Sequence, residues 1–488
     1  MVSVLLVLLL IGSAVSAPPS PSIGVAFSGG GLTAFLETTC ALEALRQSTA
    51  GARWSSDDWQ AAVNSGGTLG YVLWESVAAR SGGLVFPPFT KFPNATFKQL
   101  SAKYEKYEGG AASRKWFAEV LDVVPSLAAS LSLPHAAKTN GSGWWLTALE
   151  TALLTYGLKA DAIVSGTRPA VAGVALVRSS STPIKRAGTS GVMKYAVDNG
   201  RNNLFPSEYD FATRVVSARG NSSLEWSDAT TYSVLAGASM SSAFWGTSII
   251  EITSSLEFDL SKGFLIDLPH EVYAVDGGVA DTTMIAAMLR RKVAHVVVFL
   301  NMNNDLTTSR FVSVATRRRG CSLPLSRVAC HSPPPPPPLS LSLSLSLSLR
   351  SNATLAYLFG IETPTDAQNT LEGRALAQVF PSSLYAATIA NLTEGNSIFS
   401  AKLVNVPVLA NEYLGVEAYT LGSLLLIGNQ RNEEFLNSFA DPAVKANTPA
   451  AWPNNIPVGM STFEANLMCL WSAYRVQTLD SELTALWA

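Results

Sequence analysis

Three segments of the chain repeat one pattern, in which a short apolar run ends at a glycine-bearing turn and apolar residues then recur at helical spacing. The turns are Ser28-Gly29-Gly30-Gly31, Ser65-Gly66-Gly67 and Asp276-Gly277-Gly278. Short apolar runs bounded by glycine are typical of buried strands, and spacing near 3.6 residues indicates helices. Strands that alternate with helices build a layered α/β fold around a largely parallel sheet.

The three units can be assigned element by element. Strands are predicted at residues 23–27, 59–64 and 272–275, and a further apolar strand at 295–300. The third turn leads into a helix predicted from Asp281 to Arg291. Because ligands gather at the carboxyl ends of the strands in such sheets, we expect all three turns to meet at one edge.

Composition narrows the class of protein. Of 488 residues, 48% are hydrophobic and 14% are charged, which provides a substantial core and argues against disorder. A net charge of −2 supplies no basic surface for nucleic acid. We expect a large core over residues 18–315, which carries the turns. Residues 351–488 are expected to belong to the same domain or to form a small accessory lobe.

The N-terminus predicts entry into the secretory pathway. An apolar run over residues 4–11 is followed by small residues up to Ala17, as in a signal peptide covering residues 1–17. Such a run is too short to span a bilayer. The chain also carries five N-x-[ST] glycosylation sequons, at Asn94, Asn140, Asn221, Asn352 and Asn391. The expected location is extracellular or a lumenal compartment.

Four cysteines allow up to two disulfides in three connectivities: Cys40, Cys321, Cys330 and Cys469. Cys40 lies in an apparent helix among buried-looking residues, where a free thiol behaves as a small hydrophobic group.

Residues 316–350 include a proline run and a strict Leu-Ser alternation. A pyrimidine-rich tract before a splice acceptor would encode such a stretch, so we interpret it as a low-complexity insert from a translated intron. A genuine Pro/Ser-rich linker is the alternative.

The turns carry residues suited to acyl transfer from an ester, which needs a nucleophile, a base and donors for the developing oxyanion. Ser65 sits on a strand-to-helix turn with small neighbours, as in a nucleophile elbow. Asp276, at a third strand end, can reach the serine as general base. The N–H groups of a glycine triplet at a helix N-terminus can approach an anion. Supporting glycines keep the other turns narrow: Gly66, Gly67, Gly277 and Gly278.

These motifs together resemble the signatures of the patatin and cytosolic phospholipase A superfamily, as does the small-residue segment 237–244. The resemblance implies a three-layer α/β/α sandwich with a mostly parallel central sheet. It also implies a Ser–Asp dyad, Ser65 and Asp276, that hydrolyses acyl esters of lipids. The N–H groups of Gly30 and Gly31, with Gly29 supporting the turn, would form the oxyanion hole. The implied partner is a lipid or membrane surface, with no metal or organic cofactor, and the oligomeric state is left open.

Two positions depart from the family pattern. Thr33 stands where the family usually has Arg or Lys, which leaves neutral lipids and lysolipids open as substrates beside phospholipids. Val63 stands where the elbow usually begins with glycine, and a β-branched residue there crowds the turn. We therefore expect either a different local geometry or reduced activity.

Two other functions fit parts of the sequence. An α/β-hydrolase with a Ser–His–Asp triad would need a histidine on a loop late in the chain. The candidates are His270, His295 and His331, and none of them is well placed. A catalytically inactive relative that binds lipid is motivated by Thr33 and Val63. The intact serine, aspartate and glycine triplet argue against the inactive relative.

Overall fold

The computed structural model describes the elements that surround the three turns. The described residues are 22–81, 94–101, 168–178, 204–218, 231–242, 266–268, 272–301, 355–361, 378–393, 399–412, 414–449 and 461–488. The predicted signal peptide, the low-complexity insert at 316–350, His270 and His331 lie outside these residues.

A mixed β-sheet forms the centre of the molecule. Its strands are β1 (Ile23–Phe27), β2 (Trp59–Val63), β3 (Ala170–Arg178), β4 (Leu204–Asp210), β5 (Val216–Ala218), β6 (Ile266–Leu268), β7 (Val272–Asp276), β8 (His295–Phe299), β9 (Ser400–Val408) and β10 (Tyr419–Ile427). The main path runs β5-β4-β3-β2-β1-β8-β10-β9, and β7 pairs with β3 and β6. The central strands from β3 to β10 are parallel, whereas both margins are antiparallel. The predicted mostly parallel central sheet is therefore confirmed, and antiparallel strands extend it at both edges.

Helices cover both faces of this sheet, since alternate residues of each central strand point to opposite sides. Val25 and Phe27 of β1 belong to one buried apolar cluster, together with the helices on that face, while Ala26 belongs to the other cluster. In β8 the same alternation separates Val297 from Val298. The predicted three-layer α/β/α architecture is confirmed.

The helices lie between the strands along the chain and after the last strand. They are α1 (Gly31–Gln47), α2 (Gly51–Trp54), α3 (Gly66–Ser81), α4 (Phe97–Ser101), α5 (Val234–Ser241), α6 (Gly278–Asp281), α7 (Ile285–Arg290), α8 (Tyr385–Thr393), α9 (Glu433–Asn437), α10 (Pro442–Asn447), α11 (Thr462–Thr478) and α12 (Asp480–Ala485). The helix predicted from Asp281 begins only at Ile285, because Met284 is left-handed with φ 60°. The buried Asp281 carboxylate accepts hydrogen bonds from the N–H groups of Met284 and Ala286 and stabilises that break.

The C-terminal part of the chain joins the same sheet and packs on its first helix. β10 pairs in parallel with β8, so Leu424–Ile427 lie beside the strand that follows the third turn. α11 packs against α1, and a disulfide links Cys40 to Cys469 with a Cα–Cα distance of 5.1 Å. This pairing is one of those that the four cysteines left open, and it replaces the alternative of a free Cys40 thiol. Within the described residues, every helix is too short or too polar to cross a membrane.

Candidate active site

Ser65 occupies a strained turn between β2 and α3. Its φ of 52° lies in the left-handed region, which costs a non-glycine residue free energy. The turn is closed by the Gly67 N–H, which donates to the Asn64 carbonyl at 2.8 Å. Ser65 is 8% exposed, so its hydroxyl lies at the tip of the turn with little contact with solvent. This geometry matches the elbow predicted from the sequence.

The Ser65 hydroxyl donates a hydrogen bond of 2.6 Å to Oδ2 of Asp276. The other carboxylate oxygen, Oδ1, accepts a hydrogen bond of 2.8 Å from the Gly278 N–H, which fixes the orientation of the carboxylate. Asp276 is 4% exposed, so this pair lies largely away from water. A buried carboxylate in contact with a serine hydroxyl can take its proton as the oxygen attacks an electrophile.

The two residues meet although their strands run in opposite directions. β2 pairs with the first half of β3 in parallel, and β7 pairs with the second half of β3 in antiparallel orientation. Val63, at the end of β2, lies opposite Ala172, whereas Asp276, at the end of β7, lies opposite Val174. The two strands therefore approach each other end to end along β3. The sequence correctly predicted contact at strand ends, but it assumed three parallel strands.

The glycine turn after β1 lies beside the serine. The Gly29 N–H donates to the Thr282 carbonyl at 2.9 Å, so Gly29 anchors the turn to the segment after Asp276. Within the described part of the chain, the N–H groups of Gly30 and Gly31 have no acceptor. Gly30 has φ 151° and Gly31 has φ 62°, and a β-carbon on Gly31 would meet only open space. The turn thus presents free backbone donors on an open side.

Gly66 and Gly277 must lack a side chain, because another segment of backbone lies directly against each of them. A β-carbon on Gly66, the residue after the serine, would overlap the carbonyl oxygen of Gly31. A β-carbon on Gly277 would overlap the backbone carbonyl of Gly173 in β3. The first contact joins the serine turn to the glycine turn, and the second seats the aspartate turn on the sheet.

Ser241, at the end of α5, supports the serine turn and was not identified as a site residue from the sequence. Its Oγ accepts a hydrogen bond of 3.2 Å from the Ser65 N–H. The same Oγ lies 2.7 Å from Oγ1 of Thr68 in the first turn of α3. The small-residue segment that contributed to the resemblance therefore contacts the nucleophile turn through this hydroxyl.

A buried polar network lies behind the glycine turn and was also missed. Ser28 Oγ accepts from the Asn301 N–H at 2.6 Å, and Asn301 Oδ1 accepts from Asn429 Nδ2 at 2.9 Å. Asn429 Nδ2 also lies 3.3 Å from Glu37 on α1, which forms a buried ion pair with Arg475 of α11. Burial raises the pKa of Glu37, and the charge of Arg475 opposes that rise. The network joins the turn to the C-terminal helix.

The two departures from the family pattern leave this geometry intact. Val63 is fully buried as the last residue of β2, where a β-branched side chain is favoured. The tight turn starts only at Asn64, so the expected crowding by Val63 does not disturb the Ser65–Asp276 contact. Thr33 is also fully buried, in the first turn of α1. Its side chain presents no surface to a head group.

His295 lies at the wrong edge of the sheet to form a triad with Ser65. It begins β8 in register with Ile23, whereas the serine follows the opposite ends of the same parallel strands. Five strand residues separate the two edges, a distance of roughly 15 Å. His295 Nδ1 instead lies 2.8 Å from Ser423 Oγ. Burial lowers the pKa of His295, and the positive charge of Lys402 lowers it further.

No group of three or more His, Cys, Asp or Glu side chains suited to a metal occurs among the described residues.

The chain is similar to solved structures of known proteins. No protein-family model matches the chain, and no curated protein sequence matches it. Solved structures of human GIVD cytosolic phospholipase A2 align with 96% of this chain at 12% sequence identity. The TM-score is 0.44 for one such structure and 0.35 for the complex with methyl gamma-linolenyl fluorophosphonate. The chain spans 62% and 59% of the chains in those two structures, and this degree of similarity assigns no role to any residue.

Proposed function

We propose that this protein is a serine–aspartate acyl hydrolase that acts on lipid esters, with Ser65 as nucleophile and Asp276 as general base. One observation carries the proposal: the Ser65 hydroxyl, on a left-handed elbow, donates a 2.6 Å hydrogen bond to Asp276 beside the glycine turn. A hydroxyl, a carboxylate and free backbone N–H groups are the three parts that acyl transfer requires.

In this mechanism Ser65 Oγ attacks the ester carbonyl carbon while its proton moves to Asp276 Oδ2. The carbonyl oxygen becomes an oxyanion that accepts hydrogen bonds from the N–H groups of Gly30 and Gly31. The carbon–oxygen bond to the alcohol breaks, and the alcohol leaves with the proton from Asp276. Water that gives a proton to Asp276 then attacks the acyl-enzyme. The bond between the acyl carbon and Ser65 Oγ breaks, Asp276 returns the proton to Oγ, and the carboxylic acid is released.

The lipid class of substrate rests on the motif resemblance, and the head group is narrowed by Thr33. Because Thr33 is buried and uncharged, it offers no cation for a phosphate. We therefore expect neutral acylglycerols and lysolipids to be hydrolysed at least as well as diacyl phospholipids. Release of fatty acid from each class, presented in the same detergent micelles, tests this order.

The decisive experiment compares Ser65→Ala and Asp276→Asn with the unmodified protein on p-nitrophenyl esters and on a fluorophosphonate probe. Both variants should lose at least about 99.9% of turnover, since the residues of such a pair act as a unit. Ser65→Ala should also lose covalent labelling, read by mass spectrometry. The exposed residues Ser383 and Asp58 give matched controls, Ser383→Ala and Asp58→Asn, which should retain full activity. Equal turnover in Ser65→Ala and the unmodified protein would refute the proposal.

We also propose a secretory-pathway location. The Cys40–Cys469 disulfide is of the kind that persists in oxidising compartments. Two sequon residues, Asn94 and Asn391, are exposed and accessible to glycosylation. A shift in electrophoretic mobility after treatment with an N-glycosidase tests the assignment, and an unshifted protein confined to the cytosol would refute it.

A further inference from the structure

The side-chain amide of Asn64 is buried beside the nucleophile without any hydrogen bond. Asn64 is fully buried, and neither its Nδ2 nor its Oδ1 has a partner among the described residues. Buried polar groups are nearly always paired, and an unpaired one destabilises the folded state. The amide therefore reduces stability at the position next to Ser65, which calls for an explanation.

The amide fits because several surrounding residues lack side chains. A β-carbon on Gly277 or on Gly173 would lie 2.7 or 3.1 Å from Asn64 Oδ1. A β-carbon on Gly29 or on Gly278 would lie 3.0 or 3.2 Å from Asn64 Nδ2. These glycines belong to the glycine turn, to β3 and to the aspartate turn. The amide thus occupies the point where the elements that assemble the site converge.

Packing and local capping do not explain the choice of asparagine. A leucine has a similar size and would fill the space without the cost of burying an amide. Asparagine often stabilises a turn through its side chain. Here, however, the Asn64 contact with the Gly67 N–H is made by the main-chain carbonyl, and the side chain takes no part.

We propose that Asn64 is a positioning residue for Asp276, an inference that rests on the proposed function. The position of a β-carbon on Gly278 would lie 3.2 Å from Asn64 Nδ2 and 3.0 Å from Asp276 Oδ1. The amide donor and the carboxylate oxygen thus flank the same point and lie no more than about 6 Å apart. A closure of the aspartate turn towards Asn64 brings Nδ2 into hydrogen-bond range of Oδ1.

This closure matters when the serine oxygen leaves the carboxylate. In the free protein, Asp276 Oδ2 is held by the Ser65 hydroxyl. As Oγ bonds to the acyl carbon and its proton passes to Oδ2, that contact weakens. The Asn64 amide then joins the Gly278 N–H in holding Oδ1, so that Oδ2 stays aligned to return the proton to the leaving alcohol. The amide itself transfers no proton, and its hydrogen bond forms only during turnover.

Two substitutions of similar size test the inference. Asn64→Leu removes the unpaired amide, so the melting temperature should stay the same or rise while kcat falls at least tenfold and KM changes little. Asn64→Asp places a second carboxylate beside Asp276, so the acid limb of the kcat/KM profile should move to higher pH by about one unit or more. A fall in kcat without loss of thermal stability or a change in KM in Asn64→Leu is the readout that a merely structural residue would not produce.

Asn466 provides the matched control because its buried amide is paired, donating to the Leu100 carbonyl at 2.7 Å. Asn466→Leu should lower the melting temperature and leave the kcat of the folded enzyme unchanged, the opposite of Asn64→Leu. Full kcat in Asn64→Leu, or an unshifted pH profile in Asn64→Asp, would overturn the role of Asn64 while Ser65-dependent turnover stands. Loss of Ser65-dependent turnover in the unmodified chain would overturn both proposals.

Discussion

The buried charge cluster at the end of α7 predicts a specific acid sensitivity of the fold. Glu208 on β4 is 2% exposed in its side chain and forms ion pairs with Arg290 and with Arg291, the latter at 2.5 Å. Burial alone would raise the pKa of Glu208, but the two arginines outweigh it and lower the pKa from 4.5 to about 2. The cluster fastens α7, and with it the segment after Asp276, to the sheet.

The size of the effect follows from the pKa difference between folded and unfolded states. A shift from 4.5 to about 2 corresponds to roughly 3 kcal/mol, because each pKa unit is worth about 1.4 kcal/mol. The folded pKa is depressed, so this stabilisation is fully present above pH 4.5 and is lost as the pH falls towards 2. Between these values unfolding takes up about one proton at Glu208, and the free energy of unfolding falls by about 1.4 kcal/mol per pH unit.

Urea denaturation of the unmodified protein and of Glu208→Gln, at several pH values from 3 to 6, measures this slope. The variant should be less stable throughout, because two buried cations lose their carboxylate. Its pH dependence should also be shallower, by up to about 1.4 kcal/mol per pH unit. Other buried carboxylates, such as Glu37 and Asp281, titrate in both proteins and cancel in the comparison. The exposed Glu412→Gln should leave the slope unchanged. Parallel curves for Glu208→Gln and the unmodified protein would refute the reasoning.

Three further substitutions test the site and its frame. Gly66→Ala should abolish esterase activity, because its β-carbon would overlap the Gly31 carbonyl and displace the glycine turn. Normal rates in a turnover assay on the folded variant would contradict this contact. Ser241→Ala should lower kcat about tenfold without changing KM, since it frees the N–H of Ser65, and steady-state kinetics measure both constants. Cys469→Ser should destabilise the protein by about 2–5 kcal/mol by removing its link to Cys40, and unchanged thermal unfolding would argue against the disulfide.

The sequence predicts the core of this site because each part has a local signal. A strand, a small-residue turn and a helix occur within a few residues of Ser65, and similar patterns surround Gly30 and Asp276. Contact between them then requires only that the strand ends meet at one place. The direction of β7 has no such signal, since a short apolar run reads the same whether it pairs in parallel or antiparallel.

The supporting residues could not be predicted for a related reason. Ser241, Asn301 and Asn429 are polar residues at or just after the ends of α5, β8 and β10, and their partners are distant in sequence. Asn301, for example, bonds to Ser28 across 273 positions. Their role depends on tertiary contacts, which neither hydrophobic periodicity nor turn composition encodes. The structure also shows why Val63 does not crowd the serine turn, as the sequence had suggested. Val63 belongs to the strand, and the strained turn begins after it.

The network behind the glycine turn explains why the C-terminal part belongs to the site, although none of its described residues forms a hydrogen bond with Ser65. A turn with free N–H groups stabilises an oxyanion only if it stays fixed while the charge develops. Ser28 and Asn301 hold the start of that turn, and Asn429, after β10, binds both Asn301 and Glu37. A buried glutamate carries a large desolvation cost unless it is paired, and Arg475 supplies the pairing from α11. The rigidity of the turn therefore depends on residues more than three hundred positions away, and a chain that lacks them would lose an element of its site.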